Sequence, residues 1–193
     1  DSVSYGFLQT TRGTQLQETL HEELTAQSPK VALQHMQVLM DEDDQIANSC
    51  HPLTHMLGRN ALKELGFDQA WGKMVGTNDA SLLRICNAAY MHGIIEHYLA
   101  ASENLVDDVA MITNTICKNL TNVKDGVWEC HHGVGHGIIQ HYRNIKEKET
   151  LTQAIEACGN TAFASDCENG LWMDHFASTK VSGMLEPSSL HVC

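Results

Sequence analysis

Cys86-Asn87-Ala88-Ala89-Tyr90-Met91-His92-Gly93-Ile94-Ile95-Glu96-His97-Tyr98 aligns without a gap on Cys130-His131-His132-Gly133-Val134-Gly135-His136-Gly137-Ile138-Ile139-Gln140-His141-Tyr142. Both stretches read Cys-x5-His-Gly-Ile-Ile-(Glu/Gln)-His-Tyr. Apolar residues recur at helical rather than strand spacing in each. Weaker copies flank them at Cys50-His51-Pro52-Leu53-Thr54-His55-Met56-Leu57-Gly58 and at Cys167-Glu168-Asn169-Gly170-Leu171-Trp172-Met173-Asp174-His175. The leading cysteines are 36, 44 and 37 residues apart, a period that belongs to stacked helix pairs whose apolar faces need a neighbour. The reading is an all-α fold of stacked helical hairpins, about four Cys/His-containing repeats, disulfide-stapled and with a histidine-rich centre.

Outward from the repeats the spacing stays helical. Ser28-Pro29 predicts an N-cap with proline at the first helical position and a helix through Met40. Asp41-Glu42-Asp43-Asp44 reads as an acidic turn. A helix from His51 to Leu65 should stop at Gly66. Asn78-Asp79 should cap a long helix through Ala101, and Ser102-Glu103 another that ends near Leu120. Shorter helices are expected over 130–143, 150–158 and 167–178. Residues 1–193 then form one domain, with an N-terminal extension or helix over 1–27 and hairpin repeats over 28–193.

The chain of 193 residues carries 12 Lys plus Arg against 24 Asp plus Glu, a formal charge of −12. That balance excludes the electrostatic footprint of a nucleic-acid binder or of an anionic membrane surface. No apolar run reaches the length of a spanning helix. The chain opens at Asp1 without a basic and apolar leader, so an export signal is expected to have been removed or left out. Gly-x-Ser-x-Gly, P-loop, Gly-x-Gly-x-x-Gly and His-Glu-x-x-His motifs are absent.

Seven cysteines need an account. Cys117 precedes Cys130, and Cys158 precedes Cys167, across loops rich in Asn, Thr, Gly and Asp. A disulfide over each would fasten one helix end to the next helix start. Cys50 with Cys86 is the third pair expected, joining neighbouring repeats, and Cys193 is left over. Such staples imply an extracytoplasmic protein, periplasmic, secreted or at the cell surface. Buried free thiols or metal thiolates are the alternatives. The segment from Ala157-Cys158 through Cys167 resembles the cysteine-stapled helical repeats of the Sel1-like kind, in which each helix pair is clipped by a disulfide. That resemblance implies the architecture and carries no functional residue.

Twelve histidines are as many as the lysines and arginines combined. Residues four apart share a helix face, so His51/His55 and His132/His136 make two-histidine pairs, and His92/Glu96 a histidine–carboxylate pair. Glu129-x2-His132 has a further ligand-like spacing. His97 and His141 should face elsewhere, and the lone His21, His35 and His191 should be satisfied polar groups. The expected metal ligands are His51, His55, His92, Glu96, His131, His132, His136 and His175. Imidazole with a few carboxylates suits copper, iron or zinc, with non-covalent haem the lesser option. Gly133, Gly135 and Gly137 each cost a helix about 0.8–1.0 kcal/mol relative to alanine. Close approach of another backbone or of a bound ligand should offset that cost, and the crowding of glycine with histidine reads as a site more than a packing seam.

Function follows as an exported metal-binding helical-repeat protein, with a metal-dependent oxidoreductase or hydrolase as its enzymatic form. The alternative is a stapled scaffold that binds a partner protein through its repeat surface or Cys193, without metal.

Overall fold

The computed structural model describes residues 6–75, 82–121, 123, 125–145 and 150–181, and the side chains among them except those of 73–75 and 177–181. It is all-helical, with no strand among the described residues. Helices α1 (Thr11–Ala26) and α2 (Pro29–Glu42) form an N-terminal hairpin. Each opens on a side-chain cap: Gly13 N–H donates to the Thr10 hydroxyl and Val31 N–H to the Ser28 hydroxyl. Leu20, Leu24, Leu33 and Met36 are the buried stripe of this pair, which packs on α4.

The acidic stretch after Met40 is not a loose turn. Helix α2 runs on through Glu42, and Asp43 then caps the short α3 (Asp44–Asn48) by accepting from Gln45 and Ile46 N–H. Helix α4 (Cys50–Leu65) ends as expected at Gly66, whose φ of 74° suits glycine. Helix α5 is Phe67–Val75.

The next signature helix, α6, is Ala89–Ala100, shorter than the sequence reading. The Asn78-Asp79 cap lies outside the described residues. Before α6 the chain makes a 3-10 turn over Leu82–Arg84 and then three consecutive left-handed residues, Cys86, Asn87 and Ala88 (φ 55°, 54° and 56°). Each costs about 1–2 kcal/mol without a glycine. Burial of Leu82, Leu83 and Ile85 in the core offsets it. Sequence periodicity runs straight through this break, because the apolar residues are buried on both sides of it.

Helix α7 (Leu105–Met111) starts from an Asn104 cap, widens into a π turn at Ile112–Ile116 and tightens into a 3-10 turn at Cys117–Leu120. Helix α8 (Gly126–Asn144) starts a turn earlier than the repeat predicts, so Cys130 lies inside it. Helices α9 (Thr150–Gly159) and α10 (Ala164–Val181) complete the described chain. Disulfides join Cys117 to Cys130 and Cys158 to Cys167. Cys50 and Cys86 instead remain free thiols in hydrogen-bonding contact, with the Cys86 sulfur 3.4 Å from that of Met40.

The four signature helices lie in a row, α4 beside α6, α6 beside α8, and α8 beside α10. A Cβ placed on Gly58 would sit 2.1 Å from the Tyr90 carbonyl oxygen, and one on Gly93 2.0 Å from that of His55. The last pair repeats this reciprocal crossing: Gly135 meets the Cys167 carbonyl at 1.9 Å and Gly170 that of His132 at 1.9 Å. Gly58 and Gly135, Gly93 and Gly170, His55 and His132, Tyr90 and Cys167 are each 77 residues apart. Gly133 and Gly137 face the other way, against His92 and against Leu99 with the Ile95 carbonyl. The alternating glycines of α8 are therefore two packing seams on opposite faces, which corrects the expectation that they mark a site more than a seam. Backbones in contact on both sides replace the side-chain packing lost at each glycine.

Candidate metal centre

The row of helices brings five histidines together. His51 and His55 come from α4, His92 from α6, and His132 and His136 from α8. Neighbouring ring centroids are 4.8 Å apart for His132/His136, 5.1 Å for His92/His132 and 5.6 Å for His55/His136. From His92 to His51, His55 and His136 they are 5.7, 6.1 and 5.7 Å. Three imidazoles around one ion, each with a metal–nitrogen bond of about 2.0–2.1 Å, place their ring centroids on the order of 5 Å apart. The cluster therefore has the dimensions of a ligand set before any ion is placed in it.

The i, i+4 spacing works as expected within α4 and α8, and the tight seams supply the rest. Gly58 and Gly93 let α4 approach α6, while Gly133 lies against His92 itself. Bulkier residues would hold the three helices too far apart for the rings to meet.

Hydrogen bonding leaves ring nitrogens uncommitted where a ligand needs them. Nδ1–H of His51 donates to the Cys86 carbonyl at 2.8 Å, which fixes the tautomer with its lone pair on Nε2. That Nε2 is buried and has no partner. Both nitrogens of His92 and of His136, and Nδ1 of His132, are likewise buried without a hydrogen bond. Such orphans are rare in native proteins and call for an explanation. His55 differs: Arg59 donates to its Nδ1 at 3.3 Å, and its Nε2 faces Glu96 at 3.3 Å. An ion taking that Nε2 would displace its proton and the Glu96 contact.

Burial holds the cluster neutral. Desolvation, with smaller repulsion from neighbouring histidines, lowers His92 to about 3 and His132 to about 4. The same causes press His55 and His136 well below the ordinary value, and burial also lowers His51. Neutral imidazole is the form that ligates metal.

Two carboxylates edge the cluster. Glu129 Oε2 lies 3.1 Å from His92 Nε2, off the line of a hydrogen bond. Glu96 contacts His55 and pairs with Arg59 at 3.1 Å. Burial raises Glu96 to about 7 despite Arg59, and raises Glu129 as well. Asp174 pairs with Arg143 and accepts from Gln140, close enough to add to the Glu96 shift. Trp128 stacks on His132 with centroids 5.1 Å apart.

The structure thus brings together His51, His55, His92, His132 and His136, with Glu96 beside them, and places two expected ligands elsewhere. His131 turns away: its Nδ1–H donates to the Val127 carbonyl at 2.7 Å and its ring lies 4.0 Å from that of Phe163. Adjacent helical residues point about 100° apart, so His131 and His132 cannot share a face. His175 sits against Trp172 and Phe176. His35 pairs with Glu23 at 2.8 Å, satisfied as expected, whereas Nδ1 of His21 is buried without a hydrogen bond, against the same expectation. The sequence reading missed Arg59, although its place four residues after His55 puts it on the ligand face. The Cys86 carbonyl that orients His51 left no signal, because it depends on the left-handed turn.

Compared with protein-family models, curated proteins and solved structures, the chain matches none of them. Two groups of three, His51/His55/His92 and His92/His132/His136, bring one nitrogen per residue within 4.8 Å of one another and could hold a metal ion. No helix among the described residues is long and apolar enough to cross a membrane.

Proposed function

We propose that this chain is an exported metal-binding protein whose histidine centre holds a transition metal, copper, iron or zinc. The observation that carries this reading is the set of buried, neutral, unpartnered ring nitrogens on His51, His92, His132 and His136. A buried polar group left unpaired costs about 1–3 kcal/mol. A metal would satisfy these nitrogens. Nitrogen donors with carboxylates at the rim suit copper, iron and zinc better than calcium, which wants oxygen. Haem fits poorly, since helices in backbone contact leave no slab for a porphyrin.

Two cystines agree with an oxidising compartment, where copper and zinc sites built from imidazole rather than thiolate remain intact. A triad of histidines with a free position would make the ion a Lewis acid or a redox centre. His51 and Glu129, both partly exposed, lie where a small molecule would enter. With every position filled, the same centre would store or deliver the ion.

Elemental analysis of protein purified without chelators tests the reading. At least one equivalent of copper, iron or zinc is expected, and it should be lost in His132→Ala and His136→Ala while helicity is retained. Metal-free protein that also refuses added Cu²⁺ and Zn²⁺ would leave the stapled scaffold as the function.

A further inference from the structure

The five histidines divide into two sets of three that share one member, His92, and they do not form a single set of five. Within each set the donor nitrogens lie within 4.8 Å of one another, near the roughly 4.2 Å that an ion with metal–nitrogen bonds of about 2.0–2.1 Å can span, while the five together do not. One ion therefore takes one triad, and the other triad keeps its unpartnered nitrogens. His92 stands between the two because α6 lies between α4 and α8 in the row. Its ring is 1% exposed, and neither of its nitrogens has a hydrogen bond. A buried imidazole with neither nitrogen hydrogen-bonded, its Nε2 in contact only with Glu129, and a histidine pair from each neighbouring helix within 6.1 Å of its ring, has the makings of a bridge.

Resting on the metal-binding reading, we infer that the centre is dinuclear, with His92 bridging one ion held by His51 and His55 to a second held by His132 and His136. A neutral imidazole carries one N–H. Bridging releases that proton to solvent and leaves an imidazolate with one lone pair for each ion. Two carboxylates edge the pair of sites: Glu96 meets His55, and Glu129 approaches the shared His92. The two acids offset part of the charge of two divalent ions in a buried place. The sharing explains why α6 needs only one histidine on this face while α4 and α8 each supply two. It also explains the close seat of His92 against Gly133, which draws its ring toward the α8 pair.

The test loads chelator-stripped full-length protein with Zn²⁺ and, separately, with Cu²⁺. Two tightly held equivalents are expected. The paramagnetic resonance signal per copper should fall as the second equivalent binds, because an imidazolate couples the two spins. His92→Ala should abolish that coupling, so that the signal accounts for all copper bound. Since His92 is buried and its loss can disturb folding, two double variants carry the test independently. His51→Ala/His55→Ala and His132→Ala/His136→Ala, checked for helicity, should each bind one equivalent instead of two. Saturation of the wild type at one equivalent, or two equivalents with uncoupled spins, would overturn the bridge while leaving the metal-binding reading intact. No binding at all would remove both.

Discussion

Helices α4 and α6 on one side, and α8 and α10 on the other, cross through the same glycine-to-carbonyl contacts 77 residues apart, yet they are held and used differently. The second pair is closed by disulfides at Cys117–Cys130 and Cys158–Cys167. The first has only the Cys50 and Cys86 thiols, which touch without bonding. The first pair carries His51, His55 and His92. At the matching positions the second has Trp128, His132 and Asn169, with His136 standing where the first has Arg59. The crossing geometry therefore needs glycine and little else. The chemistry on it has been free to diverge, and the ligands come from three neighbouring helices, α4, α6 and α8.

The largest expected effect breaks the crossing itself. Gly58→Ala and Gly135→Ala each force a Cβ into a backbone carbonyl, and each should cost about 3 kcal/mol or more. For a chain of this length that lowers the melting temperature by about 10 °C. Similar losses at both positions would support one crossing used twice. An alanine tolerated at either would show that its pair of helices is not in contact.

Replacing Cys158 and Cys167 by serine, or Cys117 and Cys130, should come next, at about 2–4 kcal/mol for each bridge. Cys50→Ser, in the unbridged pair, should cost under about 1 kcal/mol, as a partly exposed thiol closes no loop. Equal effects in urea melts would mean that Cys50 and Cys86 also bridge when the protein matures.

Acid should act mainly on the histidine side of the comparison. The folded chain holds His92 near 3 and His132 near 4, with His55 and His136 also well below their unfolded value of about 6.5. As pH falls from 6.5 toward 4 the unfolded chain binds more protons than the folded one, so stability must fall. Glu96, raised to about 7, and Glu129 and Asp174, also raised by burial, have the opposite sign, but they are three groups against the five lowered histidines of the cluster. Urea midpoints of metal-free protein should be lower at pH 5 than at pH 7.5. A midpoint that holds or rises would contradict the neutral cluster.

The smallest effect concerns orientation. Arg143→Gln leaves Asp174 and Glu96 short of a nearby cation, at a cost of about 1 kcal/mol for a half-buried pair, and should leave metal content unchanged. A loss of metal in that variant would extend the centre toward α10.

Much of this was legible in the sequence. The repeated His-Gly-Ile-Ile stretch, the Ser28 cap, the Gly66 stop and two staples follow from local rules that operate within a few residues. So do the His51/His55 and His132/His136 pairs, which one helix face fixes. What escaped depends on contacts between helices. The gap-free alignment of Cys86 on Cys130 matches His92 to His136, but the backbone crossings pair His55 with His132, a register that only the packing displays. The glycines of α8 read as a site because nothing in the sequence says which backbone lies against them. The left-handed turn at Cys86–Ala88 has no glycine to announce it, and with it went the start of α6 and the carbonyl that orients His51. His131 and His175 join the ligand set on composition and neighbourhood alone; helix phase turns His131 away from the cluster, and His175 lies against Trp172 and Phe176.

The most direct test of the centre is an X-ray absorption spectrum of the metal in the protein as isolated. The histidine centre predicts a first shell of nitrogen or oxygen at about 2.0–2.1 Å with the outer-shell scattering of several imidazoles. A first shell of sulfur at about 2.3 Å, or a shell without imidazole, would contradict it.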